Sequence, residues 1–294
     1  MLAPTLVIGL GGTGKAVIYG VKRRLYQNFG VEKLPITCYI ELDTDYQMFD
    51  NVTRNFDAFT RDRLKLQPEE FVRAEVSRDF IYTVKNDKKV YGNIHKWFPQ
   101  NLFNYPPQVL KSGIGAGGLR PVGRLAFFKA IPDFQNKLAN ARKIHSGAAL
   151  DQTKKIYGDD VGNDIFIFFV FSVAGGTGSG TFIDAAYFAR QELETRIRPE
   201  HIKLYAIVAL PQVFELARDD SSIDSKLMNK LLANGYAALS ELEFFNSKEV
   251  SNISINWSTP EAKRLKAFEP KGGPFDTIFL VSTKPSGEVR NLSK

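Results

Sequence analysis

Three glycine clusters dominate the chemistry this sequence offers, because each lies beside a helix-like stretch and carries more backbone donors than a simple turn needs. Gly9-Leu-Gly-Gly-Thr-Gly-Lys-Ala16 follows the apolar run Thr5 to Ile8, and Ala174-Gly-Gly-Thr-Gly-Ser-Gly-Thr181 follows the run Ile165 to Val173. Gly113-Ile-Gly-Ala-Gly-Gly118 precedes the helix-like Val122 to Ala130. Glycine puts no Cβ in the way, so backbone N–H groups can approach phosphate oxygens, and a following helix N-terminus adds a favourable field. The expected ligand is a phosphorylated molecule.

Taken alone, the first cluster fits two patterns. Gly9, Gly11 and Gly14 satisfy the dinucleotide fingerprint, for which Glu41, Asp43 or Asp45 after the second strand would supply the ribose-binding acid. Gly9, Gly14 and Lys15 satisfy part of a P-loop, but Ala16 stands where a Ser or Thr hydroxyl would meet Mg²⁺. The second cluster argues against both in their simple forms, since neither needs another phosphate-type loop at a second strand end.

These loops must be held by strands and helices. Thr5 to Ile8, Ile36 to Leu42, Ile165 to Val173, Leu204 to Leu210 and Thr277 to Val281 are short apolar runs of the kind buried on both faces of a sheet. Between them lie helical spacings, as in Ile223, Leu227, Leu231, Ala238, Leu242 and Phe245. Alternating strands and helices predict an α/β, Rossmann-like, mostly parallel sheet with helices on both faces. Residues 53–110, with Tyr91, Trp97, Phe98, Phe103 and Tyr105, and residues 246–274 read as insertions, the first expected to carry protein-partner contacts.

Composition narrows the class. The chain has 294 residues, a 44% hydrophobic fraction and a formal net charge of +7. Its longest apolar run is about half the ~20 residues a membrane-spanning helix needs, and no signal-peptide pattern follows Met1, so an unexported, cytoplasmic protein without a membrane span is expected. Cys38 is the single cysteine, and His95, His145 and His201 are scattered, so neither a disulfide nor a zinc site is expected. The basic residues fall in short separate clusters rather than a stripe, which favours an anionic small ligand over nucleic acid.

The order of the motifs resembles the tubulin/FtsZ family. Ala174 to Gly180 is similar to that family's Gly-Gly-Gly-Thr-Gly-Ser-Gly loop with only the first glycine replaced. Asp43-Thr44-Asp45 with Gln47 resembles the Asn-Thr-Asp-Ala-Gln segment of FtsZ, and Gly115-Ala-Gly-Gly118 with Pro121-Val-Gly-Arg124 resembles its γ-phosphate loop. Pro211-Gln-Val-Phe-Glu215 resembles the ribose-side loop. Asn234 to Phe245 is closest to the bacterial tubulin-like branch.

The resemblance implies a GTP/GDP-binding domain spanning 1–294 that assembles into homo-oligomers or filaments. It assigns phosphate contacts to Gly11, Gly12, Thr13 and Lys15, to Gly115, Ala116, Gly117 and Gly118, and to Gly175, Gly176, Thr177, Gly178, Ser179 and Gly180. Glu215 falls to the ribose, Asn234 to guanine, and Asp43, an acid where FtsZ has asparagine, to Mg²⁺. Leu119 departs from the family by removing an asparagine from the γ-phosphate loop. No catalytic residue is assigned, because the family's activating acidic loop and second domain are expected to lie outside these residues. Two other readings stand beside it: an NAD- or FAD-dependent Rossmann oxidoreductase, and a non-hydrolysing nucleotide-binding scaffold. Asp184, after the second loop, is read as a helix charge, and Trp97-Phe98 as packing within the insertion.

Overall fold

The computed structural model describes residues 2–45, 58–104, 116–158, 160–216, 225–247, 250, 253–260, 262, 265 and 267–283, without the side chains of 58–60, 215, 216 and 225. β1 (Thr5–Leu10) passes without a break into α1 (Gly11–Phe29), and β2 (Thr37–Asp43) follows. Next come α2 (Ala58–Leu64), the short β3 (Phe71–Arg73), α3 (Arg78–Asn86), α4 (Gly92–His95) and α5 (Gln100–Asn104). The remainder comprises α6 (Arg120–Ala141), α7 (Gly147–Tyr157), β4 (Ile165–Ser172), α8 (Thr177–Glu194), β5 (Ile202–Ala209), α9 (Val213–Leu216), α10 (Ser225–Asn246) and β6 (Thr277–Val281).

The strands form one six-stranded sheet in the order β3-β2-β1-β4-β5-β6, with every pairing parallel. All five strands expected from the apolar runs are present, and β3 is the addition. The sheet is covered on both faces, as the alternating pattern requires. On one side Ile18 and Tyr19 of α1 pack with Val7, Tyr39, Leu64, Leu66 and Val170. On the other, Phe127 and Phe134 of α6 and Phe188 of α8 meet edge-on or tilted above Ile167, Phe169 and Phe171. Each such buried aromatic removes enough apolar surface from water to contribute about 1.5–3 kcal/mol.

Both stretches read as insertions send residues into this core. Tyr91, Ile94, Phe98 and Phe103 are buried, and Trp97 packs on Phe128 with ring centroids 5.3 Å apart. From the second stretch, Ile255 and Trp257 are buried, and Trp257 stacks on Phe268 at 5.8 Å. Lys88 and Lys89 remain exposed on the first stretch. The expected helical stripe is present in α10 only in part: Ala238 and Leu242 are buried, Leu227 is exposed, and Ile223 lies outside the described residues.

The strand order reverses direction between β1 and β4, and in such sheets ligands bind in the crevice beyond the carboxyl ends of the two strands at that switch point. β1 and β4 pair directly, from Thr5 opposite Phe166 to Leu10 opposite Phe171. Two of the glycine clusters therefore leave neighbouring strands at the same edge of the crevice. α6 and α8 approach so closely that a Cβ at Gly123 would overlap the Gly176 carbonyl, and one at Gly180 would overlap the Arg120 carbonyl.

Gly123→Ala is expected to lower stability by about 1–3 kcal/mol through overpacking. Gly20 in α1 has nothing within 4 Å of its would-be Cβ, and Gly20→Ala is expected to raise stability by about 0.8–1 kcal/mol. Urea denaturation of the two variants checks both signs.

Candidate functional site

Three helices begin at glycine clusters, and all three begin without help from side chains. α1, α6 and α8 have no side-chain cap at their N-termini and no acidic residue in their first turns. Two helices elsewhere, α3 and α7, are capped: Ser77 accepts from the Phe80 amide at 3.1 Å, and Ser146 accepts from the Ala149 amide at 3.4 Å. The first N–H groups of a helix have no intrahelical acceptor, so convergent uncapped N-termini create a demand for an anion. Tight packing brings the three starts together. Gly11, at a φ of +74° that suits only glycine, lies against Thr177, its would-be Cβ 3.3 Å from the Thr177 Cβ.

The glycines divide by what they touch. Gly14 lets α1 settle onto Gly9 and the Val170 carbonyl, Gly178 sits 2.9 Å from the Leu10 carbonyl, and Gly176 sits 2.8 Å from the Leu119 amide, each distance measured from a would-be Cβ. Gly117 and Gly118 turn the third loop with φ of 60° and 69°. Gly175 differs from all of these, since nothing lies within 4 Å of the Cβ it lacks. Packing inside the protein gives no reason for that glycine. Gly12 and Thr13 are half-buried at the start of α1.

Charged groups line the end of β2. Lys15, wholly buried in the first turns of α1, donates to Asp43 Oδ2 at 3.0 Å and to the Asp45 carbonyl at 3.2 Å. The Asp45 amide donates to Asp43 Oδ1 at 3.2 Å, so both carboxylate oxygens are engaged. Burial raises the Asp43 pKa, against the opposing pull of the Lys15 ammonium. The expectation that Asp43 is an open Mg²⁺ ligand is therefore not what this geometry offers: the carboxylate is 3% exposed and already holds a cation. Among the described residues, no group of three or more His, Cys, Asp or Glu side chains is placed to hold a metal.

One residue further on, the Thr44 and Thr177 hydroxyls meet at 2.5 Å and link the end of β2 to the second glycine loop. Glu41 lies beneath the first loop, fully buried, with neither carboxyl oxygen hydrogen-bonded. A Cβ at Gly9 would overlap Glu41 Oε2 and would also sit 2.8 Å from the Gly14 backbone, and it is this rigid approach of α1 that requires glycine there. Burial pushes the Glu41 carboxyl well above its ordinary range; Asp43 adds to the effect and Lys15 opposes it.

α10 ties the other two loops together. Asn234 Nδ2 donates to the Gly118 carbonyl at 3.0 Å and to the Ala174 carbonyl at 2.9 Å, while Lys230 Nζ, one turn earlier, donates to the Gly117 carbonyl at 2.7 Å. Ser179 Oγ donates to the Gly175 carbonyl, one turn back along the second loop. Ala116 is buried at the mouth of the third loop, whereas Gly115 lies outside the described residues, and Glu215 is placed on α9 without its side chain.

The sequence reading missed Thr44, Lys230 and the role of Asp184. Asp184 accepts from Arg124 Nε at 2.7 Å and from Trp257 Nε1 at 2.8 Å, and Arg124 lies over the Trp97 ring at 4.4 Å. This network joins α6, α8 and both presumed insertions. It borders a groove of about 430 Å³ that Ser179 and Gly180 also line, separate from Lys15 and Asp43.

The family described as tubulin-like matches residues 6–294. Among solved structures, CetZ from Methanosaeta thermophila is similar at 15% identity over 82% of this chain and 43% of its own, with a TM-score of 0.40. CetZ2 from Haloferax volcanii, a GTPγS-bound protofilament, is similar at 13% identity over 81% of this chain and 56% of its own, with a TM-score of 0.40. FtsZ from M. jannaschii is similar at 14% identity over 87% of this chain and 60% of its own, with a TM-score of 0.29. The chain thus spans about half the length of these structures. No curated protein matches it. Among the described residues, no helix is long and apolar enough to cross a membrane.

Glu41 should leave a pH signature on stability. Its folded pKa lies above the unfolded value of about 4.3, so the folded state retains a proton that the unfolded chain loses, and stability falls as pH rises from there toward the raised value. Glu41→Gln removes this titration. The fall in urea midpoint between about pH 5 and about pH 8 is expected to be smaller in the variant than in the wild type, and identical slopes would contradict the assignment.

Proposed function

Since this chain belongs to the tubulin-like family, we propose that its glycine loops bind the phosphates of a guanine nucleotide, GTP or GDP, in the crevice between the ends of β1 and β4. The observation that carries this reading is the set of uncapped, acid-free N-termini of α1, α6 and α8, all entered from glycine loops. In the proposed complex the amides at Gly11, Gly12 and Thr13 face the phosphates from one side and those around Gly175 to Thr177 from the other. The vacant space at Gly175 is where a phosphate oxygen approaches the backbone most closely. Guanine, rather than another base, follows from the family resemblance.

Asn234 is assigned a different task from the base recognition that resemblance suggests. Both of its described bonds are donations to loop carbonyls, so it fixes Gly118 and Ala174 relative to each other and shapes the site from behind. Thr177 and Thr44 do the same from the β2 side. The dinucleotide reading is not favoured, because two of the three acids that would meet a ribose are engaged: Asp43 holds Lys15, and Glu41 is shut beneath Gly9.

For the protein's activity we infer nucleotide-dependent self-association, with turnover completed only between copies. Phosphate transfer needs a positioned water and a group to orient it as well as phosphate cradles. On this reading the rate of phosphate release rises more than linearly with protein concentration, whereas a non-hydrolysing scaffold gives none at any concentration.

Calorimetric titration tests the binding itself. GTP in the presence of Mg²⁺ is expected to bind, with NAD⁺ showing no comparable heat. Gly175→Val, whose side chain fills the open space, is expected to weaken GTP binding by at least about tenfold, roughly 1.4 kcal/mol, while leaving the thermal midpoint near that of the wild type. Tight dinucleotide binding without GTP binding would contradict the proposal.

A further inference from the structure

The family resemblance calls for a divalent cation beside the phosphates and assigns it to Asp43 at the end of β2. That acid does not fit one. Its Oδ2 accepts from Lys15 Nζ at 3.0 Å and its Oδ1 from the Asp45 amide at 3.2 Å, and its side chain is only 3% exposed. Mg²⁺ seeks six oxygens at about 2.0–2.1 Å and gives up its waters reluctantly. A hydrated ion has no path to a carboxylate so enclosed, and a bare one would sit against an ammonium sharing the same oxygen. Glu41, the next acid along the strand, is wholly buried against Gly9, Gly14 and Ile18.

We propose that the Lys15 ammonium is the resident cation of the phosphate end, and that this chain binds its nucleotide without needing a divalent ion. The proposal rests on the nucleotide reading above. Among the described residues, Lys15 is held by the Asp43 carboxylate, by the Asp45 carbonyl at 3.2 Å and by the Phe71 ring, whose centroid lies 5.7 Å from Nζ. A lysine so placed does not swing freely. Its charge is fixed near the junction of both glycine loops, because the next residue after Asp43 is Thr44, whose hydroxyl meets Thr177 at 2.5 Å.

Lysine has one positive charge where Mg²⁺ has two, yet it needs no dehydration when the nucleotide arrives. Its carbon stem is already buried and its ammonium already desolvated. The cost of placing a cation there has been met in folding, with Asp43 as counter-ion. Removing the ammonium leaves the Asp43 carboxylate as enclosed as before and without its counter-ion, so no path for a hydrated metal ion is opened. Lys15→Met should therefore weaken nucleotide binding whether or not Mg²⁺ is present.

Titration of a fluorescent GTP analogue, in excess chelator and in excess Mg²⁺, tests this on the wild type and on Lys15→Met. The wild-type affinities in the two buffers are expected to agree within about fivefold, while the variant is expected to lose more than about fivefold in both buffers. A wild-type affinity that falls more than about fivefold when Mg²⁺ is removed overturns the proposal, as does a folded variant that binds as tightly as the wild type or whose loss Mg²⁺ reverses. Should Lys15→Met fail to fold by circular dichroism, Lys15→Arg keeps the charge and must keep the indifference; a metal requirement in that variant overturns the proposal. Wild-type protein that binds the analogue in neither buffer overturns the nucleotide reading instead.

Discussion

The backbone of α6 rests directly on the loop that leads into α8, with Gly123 facing the Gly176 carbonyl and Gly180 facing the Arg120 carbonyl. A side chain at any of these positions would drive the two helices apart and separate the two glycine loops that precede them. The same backbone contact recurs on the other side, where Gly11 meets Thr177 and Gly14 lies on Gly9. The fold thus uses most of its loop glycines to bring helix starts together. Gly175 is the position this packing leaves unexplained.

Bringing three helix N-termini into one crevice concentrates unsatisfied donors and positive field. The sequence could have relieved this with Ser, Asp or Glu in the first turns, as it does with Ser77 and Ser146 elsewhere, but it does not. In the proposed complex the nucleotide phosphates supply that relief. Rigidity comes instead from behind the loops: Asn234 and Lys230 hold the carbonyls of the second and third loops, and the Thr44–Thr177 hydroxyl pair holds the second loop to β2. A donor array fixed before binding needs little reorganisation when an anion enters.

The glycine loops were legible in the sequence because clustered glycine between a strand and a helix has few other causes. The strands were legible because both faces of a parallel sheet are buried, which makes their runs continuously apolar. β3 was not legible: three residues are too short to show a period. The Lys15–Asp43 pair was hidden for another reason, since it joins residues 28 apart and spacing along the chain carries no trace of it. Asp184 illustrates the same limit, because its partners Arg124 and Trp257 come from α6 and from a stretch whose polar composition masked its buried tryptophan. The aromatics around Trp97 suggested an excursion but pack inward, where they brace the Arg124–Asp184 pair.

The parallel sheet opens a crevice at the ends of β1 and β4, and the ligand proposed for it is an anion reached by backbone amides from several helices. A crystal structure with a non-hydrolysable GTP analogue tests this most directly. The account predicts the phosphates in the crevice between β1 and β4, within hydrogen-bond reach of the amides of Gly11 to Thr13 and of Gly175 to Thr177. Phosphates placed instead in the groove beside Trp97 and Arg124, with these amides unengaged, would contradict it.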